Sequence, residues 1–343
     1  MLRAMSPDNP VRAAVLGAGS FGTCLALLLA KRGFRVDLWA RDAHVADAIA
    51  RDRSNPRYLV DFTLPESVRA TASLAEALDG KELVVSVVPS HAVREVWQQA
   101  HPRLADGALV VSASKGIEVG TGKLCSDVLM EVLPKEQHDR LCFLSGPSFA
   151  REIAEGRPTA VALAARRENY AIAAQSMLSS PAFRCYTNSD VIGVELGGAL
   201  KNVIAIAVGV ADGMESGQNS RAALITRGLA EMTRLGVAMG ANPVTFLGLA
   251  GVGDLVLTCT GDLSRNRRVG LEIGRGRKVD EVLGGLRQVA EGVRTARSAH
   301  ELALRLGVDM PITAGVHAML FEGKNPLEAA IELRSRQLKS ETE

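Results

Sequence analysis

The stretch VRAAVLGAGSFGTCLALLLAKRG, residues 11–33, decides the fold. Val11–Leu16 reads as a short buried strand, and the apolar run that ends near Gly33 reads as a helix. Gly17-Ala18-Gly19-Ser20-Phe21-Gly22 therefore falls on a strand-to-helix turn. There Gly17 allows a tight reversal, Gly19 lets the backbone approach a pyrophosphate, and Gly22 lets helix and strand pack closely. The first amides of the helix remain free to hold phosphate oxygens. A glycine turn without a ligand could be spelled the same way. The order strand, turn, helix and second strand ending near Ala40 favours dinucleotide binding.

Working outward, further short Val- and Leu-rich runs occur at Val36–Trp39, Leu83–Val88, Leu109–Val111 and Leu141–Leu144. They are separated by helix-length segments such as Cys24–Arg32, Asp42–Asp52 and Ala92–Ala100. Right-handed βαβ units around a parallel sheet produce this alternation. Weaker strand signals follow at Thr159–Leu163 and Phe183–Thr187. From about Ser189 the period becomes helical, through Ile192–Val210, Arg221–Met239 and Arg294–Leu306. The expectation is an α/β Rossmann-type N-terminal domain with a mostly parallel sheet, residues 1–190, followed by an all-α C-terminal domain, residues 191–343. A chain of 343 residues is long enough to bury two cores.

Composition narrows the function. Charged residues make up 23 % with a net charge of +2, and eight Phe, three Tyr and two Trp are few for a base-stacking surface, so nucleic acid is not an expected partner. Five well-separated cysteines (Cys24, Cys125, Cys142, Cys185, Cys259) without a Cys-x-x-Cys pair fit a reducing compartment, and the six histidines lack ligand spacing, so no metal is expected. Pro7, Asp8, Asn9 and Pro10 occupy the place of a signal-peptide core, so no export is expected. The longest apolar stretch, Leu196–Ala211, carries Lys201 and Asn202 and reads as a buried helix too short and too polar for a membrane span.

Local chemistry gathers at the strand ends. The second strand closes on Leu38-Trp39-Ala40-Arg41 without the acid that would bind ribose hydroxyls. Arg41 suits a 2′-phosphate, and NADP(H) should be accepted; alternatively Arg41 is a solvated loop residue and Asp42 caps the next helix. Pro89 in Val87-Val88-Pro89-Ser90-His91 suits a helix start, and His91 reads as structural. Ser112-Ala113-Ser114-Lys115-Gly116 and Ser145-Gly146-Pro147-Ser148-Phe149-Ala150 follow two more strands. Lys115 could hold a carbonyl or phosphate there, and Ser148 could cap a helix. Lys201 is the sharpest signal, because no other charge lies between Glu195 and Asp212. A lysine in a buried helix must pair, line a cavity or shed its proton, and desolvation lowers its pKa toward the range useful for proton transfer. Gly197 and Gly198 suit the close approach of a ligand or a neighbouring helix.

Taken together with Leu249-Ala250-Gly251-Val252-Gly253-Asp254-Leu255, Ser264-Arg265-Asn266-Arg267 and Met310-Pro311-Ile312, these blocks closely resemble the bacterial-type NAD(P)-dependent glycerol-3-phosphate dehydrogenase family over nearly the full length. The resemblance implies Lys201 as the catalytic lysine, and substrate contacts at Lys115, Gly146, Ser148, Lys201, Asp254, Ser264, Arg265 and Asn266. Cofactor contacts are implied at Ser20, Phe21, Arg41, Lys115, Ala150, Arg265, Val289 and Glu291, beside Gly17, Gly19 and Gly22. It implies reversible reduction of dihydroxyacetone phosphate to sn-glycerol 3-phosphate with NADP(H) and/or NAD(H), serving glycerophospholipid synthesis in the cytoplasm, by a homodimer. A β-hydroxyacid or 6-phosphogluconate-type dehydrogenase shares the architecture, and a non-catalytic NADP(H) sensor is the remaining alternative.

Overall fold

The computed structural model describes residues 10–285, 290–338 and 340. The strands are β1 (Arg12–Leu16), β2 (Arg35–Trp39), β3 (Val68–Thr71), β4 (Leu83–Ser86), β5 (Leu109–Ser112), β6 (Leu141–Ser145), β7 (Thr159–Ala165) and β8 (Phe183–Asn188). They form one sheet in the order β3-β2-β1-β4-β5-β6-β7-β8. All neighbours are parallel except β6 and β7. The inner strands β4 and β5, both spelled Leu-Val-Val-Ser, are buried along their whole length, as a sheet covered on both faces requires. β3 has no apolar run to betray it. It is a four-residue edge strand, Val-Arg-Ala-Thr, of which only Thr71 is buried.

The chain leaves β1 toward β2 and β3, then returns to the other side of β1 as β4. This reversal opens a crevice at the carboxyl ends of β1 and β4, where ligands of open α/β sheets bind. Helix α1 (Ser20–Lys31) starts at that crevice and α2 (Ala43–Asp52) follows β2.

After β8 ends at Asn188 the described residues contain no strand. The helix Val191–Gly213 begins at Asp190, whose side chain caps it by accepting from the Gly193 amide at 2.9 Å. Helices Gly217–Ala238, Asp254–Thr260, Arg265–Gly274 and Glu291–Leu306 surround it. Against Arg265–Gly274 the approach is backbone to backbone: a Cβ on Gly270 would collide with the Ile206 carbonyl oxygen, and one on Gly209 with that of Arg267. Contrary to the expectation of a stretch too short for a span, the central helix has 23 residues, long enough to cross a membrane, and contains an 18-residue window with a mean hydropathy of 1.7; 94 % of that window is buried inside the fold. Burial, rather than shortness, marks it as a core helix.

Candidate active site

The glycine turn has the predicted shape for specific reasons. Gly17 sits at φ +113°, and a Cβ there would lie 2.9 Å from the Val87 carbonyl oxygen; a Cβ on Gly22 would strike the Gly17 carbonyl oxygen. Gly19 meets nothing within 4 Å and precedes α1 without any side-chain cap, so the first amides of α1 face open space. That cradle opens into a cleft of about 610 Å³ whose wall includes Gly17, Gly19, Ser20, Phe21, Gly22 and Arg41 from the sheet side. Lys115, Ser148 and Ala150 line it at later strand ends, and Lys201, Ser264, Arg265, Asn266 and Glu291 reach it from the helical half. The residues present fit a dinucleotide. Gly146, at φ +135°, and the fully buried Asp254 stand behind this wall, and Val289 lies outside the described residues.

The Asp42 cap is observed, and Arg41 stands beside it on the cleft. Asp42 caps α2 by accepting from the His44 amide at 3.0 Å, while Arg41 is exposed on the cleft wall. His91 also faces the cleft. Burial and the charges of Arg294 and Arg41 push its pKa down, favouring the neutral imidazole. Pro89 precedes a short 3₁₀ turn, Ser90–Ala92, that leads into the helix Val93–Ala100. Ser148 requires a correction: Phe149 occupies the N-cap position of Ala150–Ala154. The Ser148 hydroxyl instead donates to the Gly146 carbonyl at 2.8 Å, because the intervening turn folds it back on its own loop.

At the centre, Lys201 is 8 % exposed and its Nζ donates to Asp254 Oδ1 at 2.5 Å and to Thr258 Oγ1 at 3.0 Å. Asp254 Oδ2 accepts from Lys115 Nζ at 2.9 Å, and Lys115 also reaches the Gly146 carbonyl at 3.5 Å. Lys201 thus both pairs and lines the cavity. Burial lowers its pKa to about 8; Asp254 opposes that and Lys115 reinforces it. For Asp254, burial would raise the carboxyl pKa, but Lys115 and Lys201 together hold it below the usual value. Glu291 moves the other way: burial raises it in spite of Arg265, Lys115 and Lys201. One ionised carboxylate shared by two ammonium groups leaves local positive charge, suited to an anion or to an oxygen that gains negative charge.

Ser264 caps the helix Arg265–Gly274, accepting from the Arg267 amide at 3.2 Å, so Arg265 and Asn266 emerge at the cleft. Asn266 donates to Asn202 Oδ1 at 2.9 Å and accepts from the Gly292 amide at 3.0 Å. Sequence reading passed over Thr258 and Asn202, both on the cleft. Thr258 lies one helical turn beyond Asp254, and Asn202 is the other polar residue next to Lys201 in the apolar helix; those spacings were the available signals. Gly197 and Gly198 serve protein contacts: a Cβ on the first would strike the Ala250 carbonyl oxygen, on the second Ser145 Oγ.

Residues 12–171 match the family described as NAD-dependent glycerol-3-phosphate dehydrogenase N-terminus, and residues 190–331 match its C-terminus. The chain is 54 % identical over 327 residues to a glycerol-3-phosphate dehydrogenase [NAD(P)+] of Syntrophotalea carbinolica, covering 95 % of this chain and 98 % of that protein. It is 56 % identical over 328 residues to one from Citrifermentans bemidjiense, covering 96 % and 98 %. The crystal structure of a glycerol-3-phosphate dehydrogenase from Coxiella burnetii superposes with a TM-score of 0.90 at 40 % identity, covering 95 % of this chain and 99 % of that one. Matched in both halves, the chain belongs to the NAD-dependent glycerol-3-phosphate dehydrogenase family.

Proposed function

We propose that this chain reversibly reduces dihydroxyacetone phosphate to sn-glycerol 3-phosphate with NAD(P)H, and that Lys201 moves the proton. The observation that carries this is the buried Lys201–Asp254–Lys115 cluster opening onto the dinucleotide cleft. A bound nicotinamide supplies or accepts the hydride. In the reducing direction the Lys201 ammonium donates its proton to the C2 carbonyl oxygen; in reverse the neutral amine takes the hydroxyl proton. With a pKa near 8 both forms are populated close to neutrality. Asp254 keeps the ammonium aimed, and Lys115 stabilises the oxygen as it gains charge.

Ser264, Arg265 and Asn266 serve the substrate phosphate through the helix start and the guanidinium fork. Gly146 and Ser148 shape the loop against which the substrate rests. Gly17, Gly19, Ser20, Phe21, Gly22, Arg41, Ala150, Val289 and Glu291 serve the cofactor. The functional division falls near residue 190, supported by the change from strand to helix between Asn188 and Val191. The product supplies glycerophospholipid synthesis. Five unpaired, buried thiols support a cytoplasmic setting, and a symmetric homodimer is the expected assembly.

The test is oxidation of NADH and of NADPH on addition of dihydroxyacetone phosphate, with 2-keto acids as controls. Turnover of the phosphate ester alone is expected. Preference for a 2-keto acid would move the chain to the β-hydroxyacid type, and cofactor binding without turnover to a sensor.

A further inference from the structure

Beside the glycine turn, a second loop is built into the adenosine end of the cleft by one side chain. Asn55 is fully buried, and its amide uses its whole hydrogen-bonding capacity. Nδ2 donates to the Ala18 carbonyl and to Thr23 Oγ1, both at 2.9 Å, and Oδ1 accepts from the amides of Arg57 at 3.0 Å and Tyr58 at 3.1 Å. Asn55 therefore pins the start of Arg57-Tyr58 to the same turn and helix that cradle the dinucleotide. Arg57 and Tyr58 line the cleft together with Arg41 and Asp42.

Arg57 Nη2 lies 2.8 Å from Asp42 Oδ2, while Asp42 Oδ1 is committed to the cap of α2. The rim thus carries two guanidinium groups and one carboxylate. Asp42 engages one nitrogen of the Arg57 fork, and at 57 % and 36 % exposure the ion pair is weakly held. A phosphate dianion outcompetes a single carboxylate for such a fork.

Resting on the reading that this cleft takes NAD(P)H with its ribose near Arg41, we propose that Arg57 is a second determinant of cofactor choice. It joins Arg41 on the 2′-phosphate of NADP(H), and Asp42 is the internal competitor that holds Arg57 when that phosphate is absent. The chain then accepts both cofactors because Arg57 is neutralised without NADP(H), and it gains affinity for NADP(H) only by displacing Asp42.

The experiment measures dissociation constants of NADPH, NADH, 2′,5′-ADP and 5′-AMP by calorimetry on the full chain, for the parent, Arg57→Gln and Asp42→Asn. Asparagine preserves the helix cap and removes the charge. Arg57→Gln is expected to weaken NADPH and 2′,5′-ADP about fivefold to tenfold, with NADH and 5′-AMP within about twofold. Asp42→Asn is expected to tighten NADPH and 2′,5′-ADP about twofold to threefold without improving NADH. Thermal melting checks both variants, and Asp42→Ser, which also caps, replaces Asp42→Asn if that variant melts early. Equal loss for both cofactors in Arg57→Gln, no loss, or no gain for NADPH on removing the Asp42 charge overturns the proposal. A parent chain that binds NADH and NADPH but shows such a pattern loses only this inference; one that binds neither loses the cofactor reading as well.

Discussion

Replacing Asp254 by asparagine keeps the shape of the side chain and removes the one carboxylate shared by Lys201 and Lys115. The site is closed to relief from solvent, since the Asp254 side chain is 1 % exposed and its oxygens lie 2.5 Å and 2.9 Å from the two ammonium nitrogens. Removing one partner of a buried pair costs about 3–5 kcal/mol, and a lysine can escape that cost by shedding its proton. Lys201 sits near 8 because burial lowers its pKa while Asp254 raises it; without Asp254, burial and Lys115 both push it down. At about 1.4 kcal/mol per pH unit, losing even half of the pair's attraction moves the basic limb of the reduction profile down by about 1–2 pH units. Dihydroxyacetone phosphate reduction at about pH 7 should then fall by about twofold to tenfold, and by about tenfold or more toward pH 8, and the limb for glycerol 3-phosphate oxidation should move down in parallel. The assay is kcat/KM against pH in both directions. A limb that stays near 8, or moves upward, would refute the claim that Asp254 sets the proton affinity of Lys201.

Arg265→Lys keeps the charge but loses the planar fork, so KM for dihydroxyacetone phosphate should rise about tenfold with some loss of NAD(P)H affinity; an unchanged KM would move the phosphate to Lys115 and the Gly146 loop. Ser264→Ala should lower stability by about 1 kcal/mol through the lost cap, read by denaturant unfolding; no loss would mean the Arg267 amide finds another acceptor. Glu231 accepts from the amides of Ile312 at 2.5 Å and Thr313 at 3.1 Å, and burial raises its carboxyl pKa to about 7. The folded chain holds that proton more tightly than the unfolded chain, so its stabilisation is complete below the usual carboxyl pKa and is lost as pH rises through about 7. Between those pH values the parent should lose melting temperature relative to Glu231→Gln, and parallel curves would show that Glu231 does not titrate there.

The parts of the molecule that were legible in sequence are those whose cause is local. The glycine turn needs a positive φ at Gly17 and no side chain at Gly22, and both requirements are written in adjacent residues. The apolar monotony around Lys201 announced a buried lysine without announcing its partners. Asp254 is 53 residues from Lys201 and 139 from Lys115, and nothing periodic links them. β3 escaped notice because it is four residues long, Val-Arg-Ala-Thr, with Thr71 its one buried side chain, so it carries no apolar run. Ser148 was misplaced because the same residue type serves a helix cap and a folded-back turn, and only the backbone path chooses. Thr258 becomes visible once Asp254 is known to start a helix, so its reading depends on a boundary that local sequence leaves loose by a residue or two.

The central claim is that Lys201 carries the proton and does not hold the cofactor. The most direct test is kcat for dihydroxyacetone phosphate reduction by Lys201→Ala beside its dissociation constant for NADPH. General acid–base catalysis contributes about 10²–10⁴ in rate, so turnover should fall by about that factor, with NADPH affinity within about threefold of the parent. Turnover within a few-fold of the parent would contradict the claim.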